Sequence, residues 1–332
     1  MTAAASGPRL VGARLRSPAL IIGALIIALV VAAAIAATVG AAGIPLRRLP
    51  AALGLVQGDD AALTARDQLV LWSVRLPRIA LAVMVGALLA AGGTVMQGLF
   101  RNPLADPMLA GISPGAGFAS ALAIVVGDRI VASVPFEVLP VAAIAGALVT
   151  TIILYRLATR SGRTSIATLL LAGIAIGALA NAGIGFLVFL ADDRQLRDIT
   201  FWLLGSLGGA TWAKVAAIAP FVALLLGGLP FIARGLDLIV LGEAEAFHMG
   251  VAVECLKRIA IVLVAASTGA AVSVAGVIGF VGIVVPHLLR LVIGPATICC
   301  CPPHCVSARS CCSSLTPSRA LSLRPPSFPS AS

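Results

Sequence analysis

The sequence predicts an all-α protein that crosses a membrane about eight times, each time as a helix. Composition is the first reason: 60% of the 332 residues are hydrophobic and 11% are charged, against roughly 45–50% and ~25% in soluble domains. Mean hydropathy is +1.10. Spacing is the second, because apolar windows recur at close to the ~20 residues that a helix needs to cross hydrocarbon. The third is the supply of small residues, including 34 glycines. No hydrophobic force drives helix onto helix in lipid, so close backbone approach, as along Gly86 to Gly93 and Gly173 to Gly177, supplies the packing.

The windows fall at 19–43, 79–99, 108–126, 138–157, 166–190, 212–233 and 258–278, with a shorter one at 279–293. The first follows Arg9, Arg14 and Arg16, and its core, Ala19–Val39, is too long for the apolar region of a cleavable signal, so it reads as the first span. The second, Ile79–Leu99, carries no charge. Arg75, Pro77 and Arg78 open it, and Arg101-Asn102-Pro103 closes it, since proline lacks an N–H and forces the residue before it out of the α region. Pro107, Gly111, Pro114, Gly115 and Gly117 then interrupt a segment that is otherwise still apolar. Broken backbone at membrane depth is tolerated only inside protein or against a water-filled cavity, so this stretch reads as pathway rather than wall. A second break, from Gly276 through Pro286 and His287, occupies a similar place in the second half, a spacing that hints at the internal repeat common in transporters.

Basic residues orient the chain. Arg9, Arg14 and Arg16, then Arg101, then Arg156, Arg160 and Arg163 all fall on one side, which the excess of positive charge makes cytoplasmic, N-terminus included. The 45–78 connection, on the other side, holds Arg47, Arg48, Arg66, Arg75 and Arg78, more positive charge than an outer loop should carry. The net charge of +10 does not point to nucleic acid: Lys214 and Lys257 are the only lysines, one tyrosine is present, and the arginines sit between apolar spans beside membrane lipid.

Arg75-Leu-Pro-Arg78, then Gly86-x-x-Leu-Ala-Ala-Gly-Gly-x-x-Met-Gln97, then the run from Arg101 to Pro107 and Gly111-Ile-Ser-Pro-Gly-Ala116 resemble the permease subunits of ABC importers for iron-siderophores, heme and cobalamin, the FecCD-type family. The resemblance runs from Ala19 to Pro295 and implies a ten-helix permease fold working as a homodimer in the bacterial inner membrane. It also implies an ATP-binding subunit dimer and a periplasmic or lipid-anchored substrate-binding protein as partners. Arg75 and Arg78 match the family's arginines that meet acidic residues on the binding protein, although arginines at a helix end are also snorkelling anchors. Leu241-Gly-Glu-Ala-Glu-Ala-x-x-Met-Gly-Val251 resembles the loop that couples to the ATPase, with Gly242, Glu243, Ala246 and Gly250 matching, while an amphipathic helix lying on the membrane surface is the plainer reading. The stretch with Phe201, Trp202, Gly205 and Ser206 resembles the family's short helix near the outer mouth, and the wording of Asp192 to Leu207 leans to heme over siderophore. Asn102, Pro103, Pro107, Gly111, Ser113, Gly115, Pro286 and His287 complete the expected pathway set. His287 reads as structural rather than as a heme ligand, and Asp192-Asp193 as a solvated loop rather than a metal site.

No P-loop surrounds either lysine, and no hydrolase or metalloprotease motif is present, so the chain is read as no enzyme, with no cofactor or metal of its own. An autonomous ion-coupled transporter or channel, the other class, should carry ionisable groups inside its spans, and these spans hold almost none. Residues 1–295 are therefore read as the permease domain. Residues 296–332 form a Cys/Ser/Pro-rich tail in place of the last two family spans. Six of the seven cysteines lie between Cys299 and Cys312. Leucine codons read one base late give cysteine, so the tail reads as frameshifted and disordered, and an inactive truncated product is a further alternative. Metal binding or palmitoylation of those cysteines is the competing reading, but adjacent cysteines lack zinc-site spacing.

Overall fold

A computed structural model describes residues 18–40, 43–56, 60–108, 111–130, 138–160 and 163–293. The tail, the arginines before residue 18 and residues 131–137 lie outside these residues. So does the expectation of a disordered tail. Twelve α-helices account for nearly all of the described chain: α1 Pro18–Thr38, α2 Leu49–Ala52, α3 Ala61–Val70, α4 Leu76–Phe100, α5 Ile112–Ile130, α6 Val138–Ala158, α7 Ile166–Leu190, α8 Asp193–Leu204, α9 Trp212–Leu241, α10 Glu243–His248, α11 Val253–Ala275 and α12 Val281–Ile293. A short hairpin, β1 Thr159–Arg160 with β2 Arg163–Thr164, joins α6 to α7. Six helices are long and apolar enough to cross a bilayer, and two shorter apolar ones, in α5 and α12, complete the expected eight.

The 45–78 connection is not a loop. Asp60 caps α3 by accepting from the Ala62 and Leu63 N–H groups at 2.9 and 3.2 Å, and the helix then runs unbroken for 40 residues to Phe100. At 1.5 Å per residue that is ~60 Å, about twice the hydrocarbon thickness, so one end stands clear of the membrane. Pro77 is accommodated rather than helix-breaking. Its ring crowds the carbonyl four residues back, and the turn Leu71–Arg75 widens to π type, with Leu76 donating to the Leu71 carbonyl.

Other boundaries shift for local reasons. α1 ends at Thr38 rather than residue 43. α5 starts at Ile112 rather than 108, because Gly111 takes φ +75°. α9 carries Pro220 and Pro230 within it and continues past residue 233 to Leu241, and α11 begins at Val253 and stops at Gly276, where φ is +71°.

Helix α11 is the centre of the packing: 78% of its apolar window is buried, against 6% for α1. Small side chains make this possible. A Cβ on Gly269 would lie 2.9 Å from that of Ala147 on α6, and one on Gly146 would lie 2.6 Å from the Gly115 carbonyl on α5. The stripe expected from Gly86 to Gly93 is narrower: Gly92 and Gly93 are close-packed, whereas Gly86 faces open space.

Candidate functional site

Three interruptions of the helices meet in the interior. The first begins where Arg101 takes a left-handed conformation, φ +50°, and ends α4 by donating back to the Gln97 and Gly98 carbonyls. Asp106 then accepts from the Met108 N–H at 2.7 Å, and Gly111 closes the break with its α-carbon so near α7 that a Cβ would lie 2.6 Å from the Gly173 carbonyl. The second is the turn after α8, where Gly205 has φ +69° and Ser206 donates to the Ala275 carbonyl at 2.8 Å. The third runs from Gly276 to Phe280. Its Gly276 sits against the Trp202 carbonyl and Gly205, and a Cβ on its Gly279 would lie 3.3 Å from the Met108 methyl. The two breaks seen in the sequence thus touch each other through Met108 and Gly279.

A cleft of about 410 Å³ opens at this junction, lined by Met108, Pro114, Ile174, Asn181, Leu203 and Val277 among others. Its walls are apolar, with the Asn181 amide a polar exception. A second cleft, about 500 Å³, lies beside Arg101, Asn102, Ile166, Leu170 and Glu243, and Ile174 of α7 lines both. Pro107, Gly111, Ser113 and Gly115 are buried and shape the first break without lining either cleft. Pro103, Phe201, Trp202, Gly205, Pro286 and His287, expected in the pathway, line neither. Pro103 and Phe201 are exposed, Trp202 is half-buried against Gly117, and Gly205 instead packs on Gly276. On α12 the helical period buries Gly282 and Pro286, four apart, and turns His287 outward. Asp192 is not part of a loop. It caps α8 in a reciprocal pair with Gln195, accepting from the Gln195 N–H at 2.8 Å while its own N–H donates to the Gln195 side chain at 3.2 Å.

At the end where α4 finishes, Gly242 stops α9 with φ +145° and α10 follows. Ala246 is fully buried beneath it, while Leu241, Phe247 and Met249 stand exposed and Gly250 turns the chain with φ +87°. Glu243 reaches back to Lys257 at 2.7 Å. At the opposite end of α4 the two arginines separate. Arg78 is exposed, but Arg75 is only 8% exposed, and its guanidinium donates to the Ala37 carbonyl beside Gly40. The last carbonyls of α1 have no partner within their own helix, and Arg75 supplies one. Of the expected docking pair, Arg75 is therefore buried against the end of α1, and Arg78 is the exposed one.

The sequence model of the FecCD transport family matches residues 19–308. The chain belongs to that family. The FecCD match continues past Pro295, where the likeness of motifs was expected to stop. The hemin transport system permease protein HmuU of Yersinia pestis is 46% identical over 232 residues, 67% of this chain and 66% of that protein. The cobalamin import system permease protein BtuC of Halobacterium salinarum is 42% identical over 228 residues, 69% and 60% of the two chains. A vitamin B12 import system permease protein of Serratia proteamaculans is 38% identical over 224 residues, 68% and 65%. The chain thus spans less than two thirds of the length of these relatives. Among solved structures, an inward-facing chain described as a metal-chelate type ABC transporter superposes with a TM-score of 0.73 at 30% identity, covering 84% of this chain and 83% of its own.

Several residues that hold the site together had no structural role assigned from sequence. Gln97 and Arg290 tie α4 to α12, and Lys257 and Glu254 tie α11 to the β1–β2 hairpin. Lysine scarcity was the available signal for Lys257, one of two lysines in the chain and three positions after an acid.

Proposed function

We propose that the chain is the membrane subunit of an ABC importer for a metal chelate, with heme the favoured cargo and siderophore next. The convergence of the three helix breaks on one apolar cleft carries the reading: irregular backbone in the membrane interior is tolerated where it lines a route. A planar, largely apolar macrocycle suits walls of Met108, Pro114, Ile174 and Val277. The 46% identity to a hemin permease also supports heme. Hydrolysis belongs to a separate ATP-binding subunit dimer, which seats on Phe247, Met249 and Leu241 around the turn held by Gly242, Glu243, Ala246 and Gly250. That face is cytoplasmic, as is the N-terminus, in a homodimer of this chain in the bacterial inner membrane. At the far side a substrate-binding protein meets Arg78, with Arg66 exposed on the same long helix.

Co-purification with the ATP-binding subunit, combined with crosslinking from Phe247→Cys, tests the assignment. The expected outcome is one crosslinked product per membrane subunit that disappears when the cysteine is moved to the α3 end, for example Arg66→Cys. Equal crosslinking from both ends, or none from Phe247→Cys, would reject it.

A further inference from the structure

The ammonium of Lys257 is 1% exposed and makes three hydrogen bonds, one for each of its protons. It donates to Glu243 of α10 at 2.7 Å, to Glu254 of its own helix at 3.1 Å, and to the Thr164 carbonyl of β2 at 2.9 Å. Glu254 completes a ring by accepting from the Thr164 N–H with its other oxygen at 3.0 Å. The next residue, Ser165, caps α7 by accepting from the Thr168 N–H at 3.3 Å. One buried charge therefore joins α10, α11 and the start of α7, and α7 lines both clefts.

Burying an ammonium is unfavourable unless every proton has a partner, and losing one partner leaves a buried donor unsatisfied. That asymmetry makes the junction stiff: α10 cannot move away from Lys257 without breaking the pair, so it moves α11 and the hairpin with it. The hairpin is short, paired at Thr159 with Thr164 and at Arg160 with Arg163, and leads directly into the α7 cap.

We propose that Lys257 is the positioning residue that carries displacement of α10 through Thr164 to the first turns of α7, and so to the clefts. This rests on the reading that the ATP-binding subunit seats on α10. Packing alone explains a buried lysine only as a staple, whose loss lowers stability without uncoupling two movements.

The test uses the full chain in complex with the ATP-binding subunit. Ala167→Cys, exposed on the first turn of α7 at the second cleft, reports by its thiol-labelling rate with and without ATP, and a Phe247→Cys crosslink reports docking separately. With Lys257 intact the two nucleotide states should differ about fivefold in labelling, the lower range of coupling between linked sites. Lys257→Met should bring the ratio to unity, and Lys257→Arg should restore most of it. Because Lys257→Met also frees Glu243 and can misfold, Glu243→Ala decides: it cuts α10 from Lys257, while Glu254 and the Thr164 carbonyl still hold the ammonium. Retained crosslinking with a ratio near unity in Glu243→Ala supports the link. A parental ratio in Glu243→Ala overturns it, as does a ratio of unity in the parent chain. Loss of the Phe247→Cys crosslink in the parent instead removes the docking reading, and the inference with it.

Discussion

Arg290 of α12 donates to the side-chain oxygen of Gln97 on α4, across 193 positions of sequence, while the Gln97 amide donates to the Gly282 carbonyl at 3.0 Å. One glutamine thus pins α12 near both its ends. Gln97 is 4% exposed, and an unsatisfied polar group there has no water to turn to. Gln97→Leu should lower stability by about 1–3 kcal/mol, read as an earlier thermal transition in detergent, and Arg290→Met combined with it should recover part of the loss. Equal transitions for parent and Gln97→Leu would show that the pin contributes nothing.

Glycines seven positions apart on α4 should respond in opposite directions. A Cβ on Gly93 would overlap the Gly282 carbonyl oxygen, whereas Gly86 has nothing within 4 Å. Gly93→Ala should therefore cost about 1–3 kcal/mol through overpacking. Gly86→Ala should gain up to about 1 kcal/mol from helix propensity. Thermal unfolding of the two variants side by side checks both signs.

Arg75 and Arg78 should also separate. Arg75→Ala strips the Ala37 carbonyl of its donor and should weaken the α1 junction without altering the salt dependence of binding-protein association. Arg78→Glu should leave stability alone and slow association, with the loss shrinking at high salt as exposed charges are screened over about 8 Å. Association rates at low and high salt for each variant, beside their melting temperatures, provide the readout.

At the start of α8, Asp192→Ala removes the cap and should cost about 1 kcal/mol, frayed first in the turn that holds Gln195. Hydrogen exchange over residues 193–204 should rise in that variant. Gly276→Ala should be worse, because φ is +71° there and the Trp202 carbonyl occupies the space.

Much of this architecture was legible because bilayer thickness imposes itself on composition. Eight apolar windows became eight apolar helices, and Pro107, Gly111 and Gly276 marked real breaks. What was hidden depended on contacts between distant positions. Arg75 and Arg78 look equivalent in the motif, and only the end of α1 beside Arg75 distinguishes them. Pro77 reads as a helix start, yet a single wide turn absorbs it inside a helix of 40 residues. Lys257 shows no motif, since its partners Glu243, Glu254 and Thr164 come from three elements. Side chains such as His287 and Phe201 were placed in the pathway by the resemblance of their motifs, and the helical period leaves them exposed outside both clefts.

ATP-driven uptake of hemin into vesicles tests the central claim most directly. The chain is reconstituted with its ATP-binding subunit, the binding protein and hemin outside, and internal hemin is followed by absorbance. Accumulation should require ATP and both partners and should fall when Met108→Arg places a charge in the cleft. Uptake that proceeds at the same rate without the ATP-binding subunit would contradict the account and place the driving force within this chain.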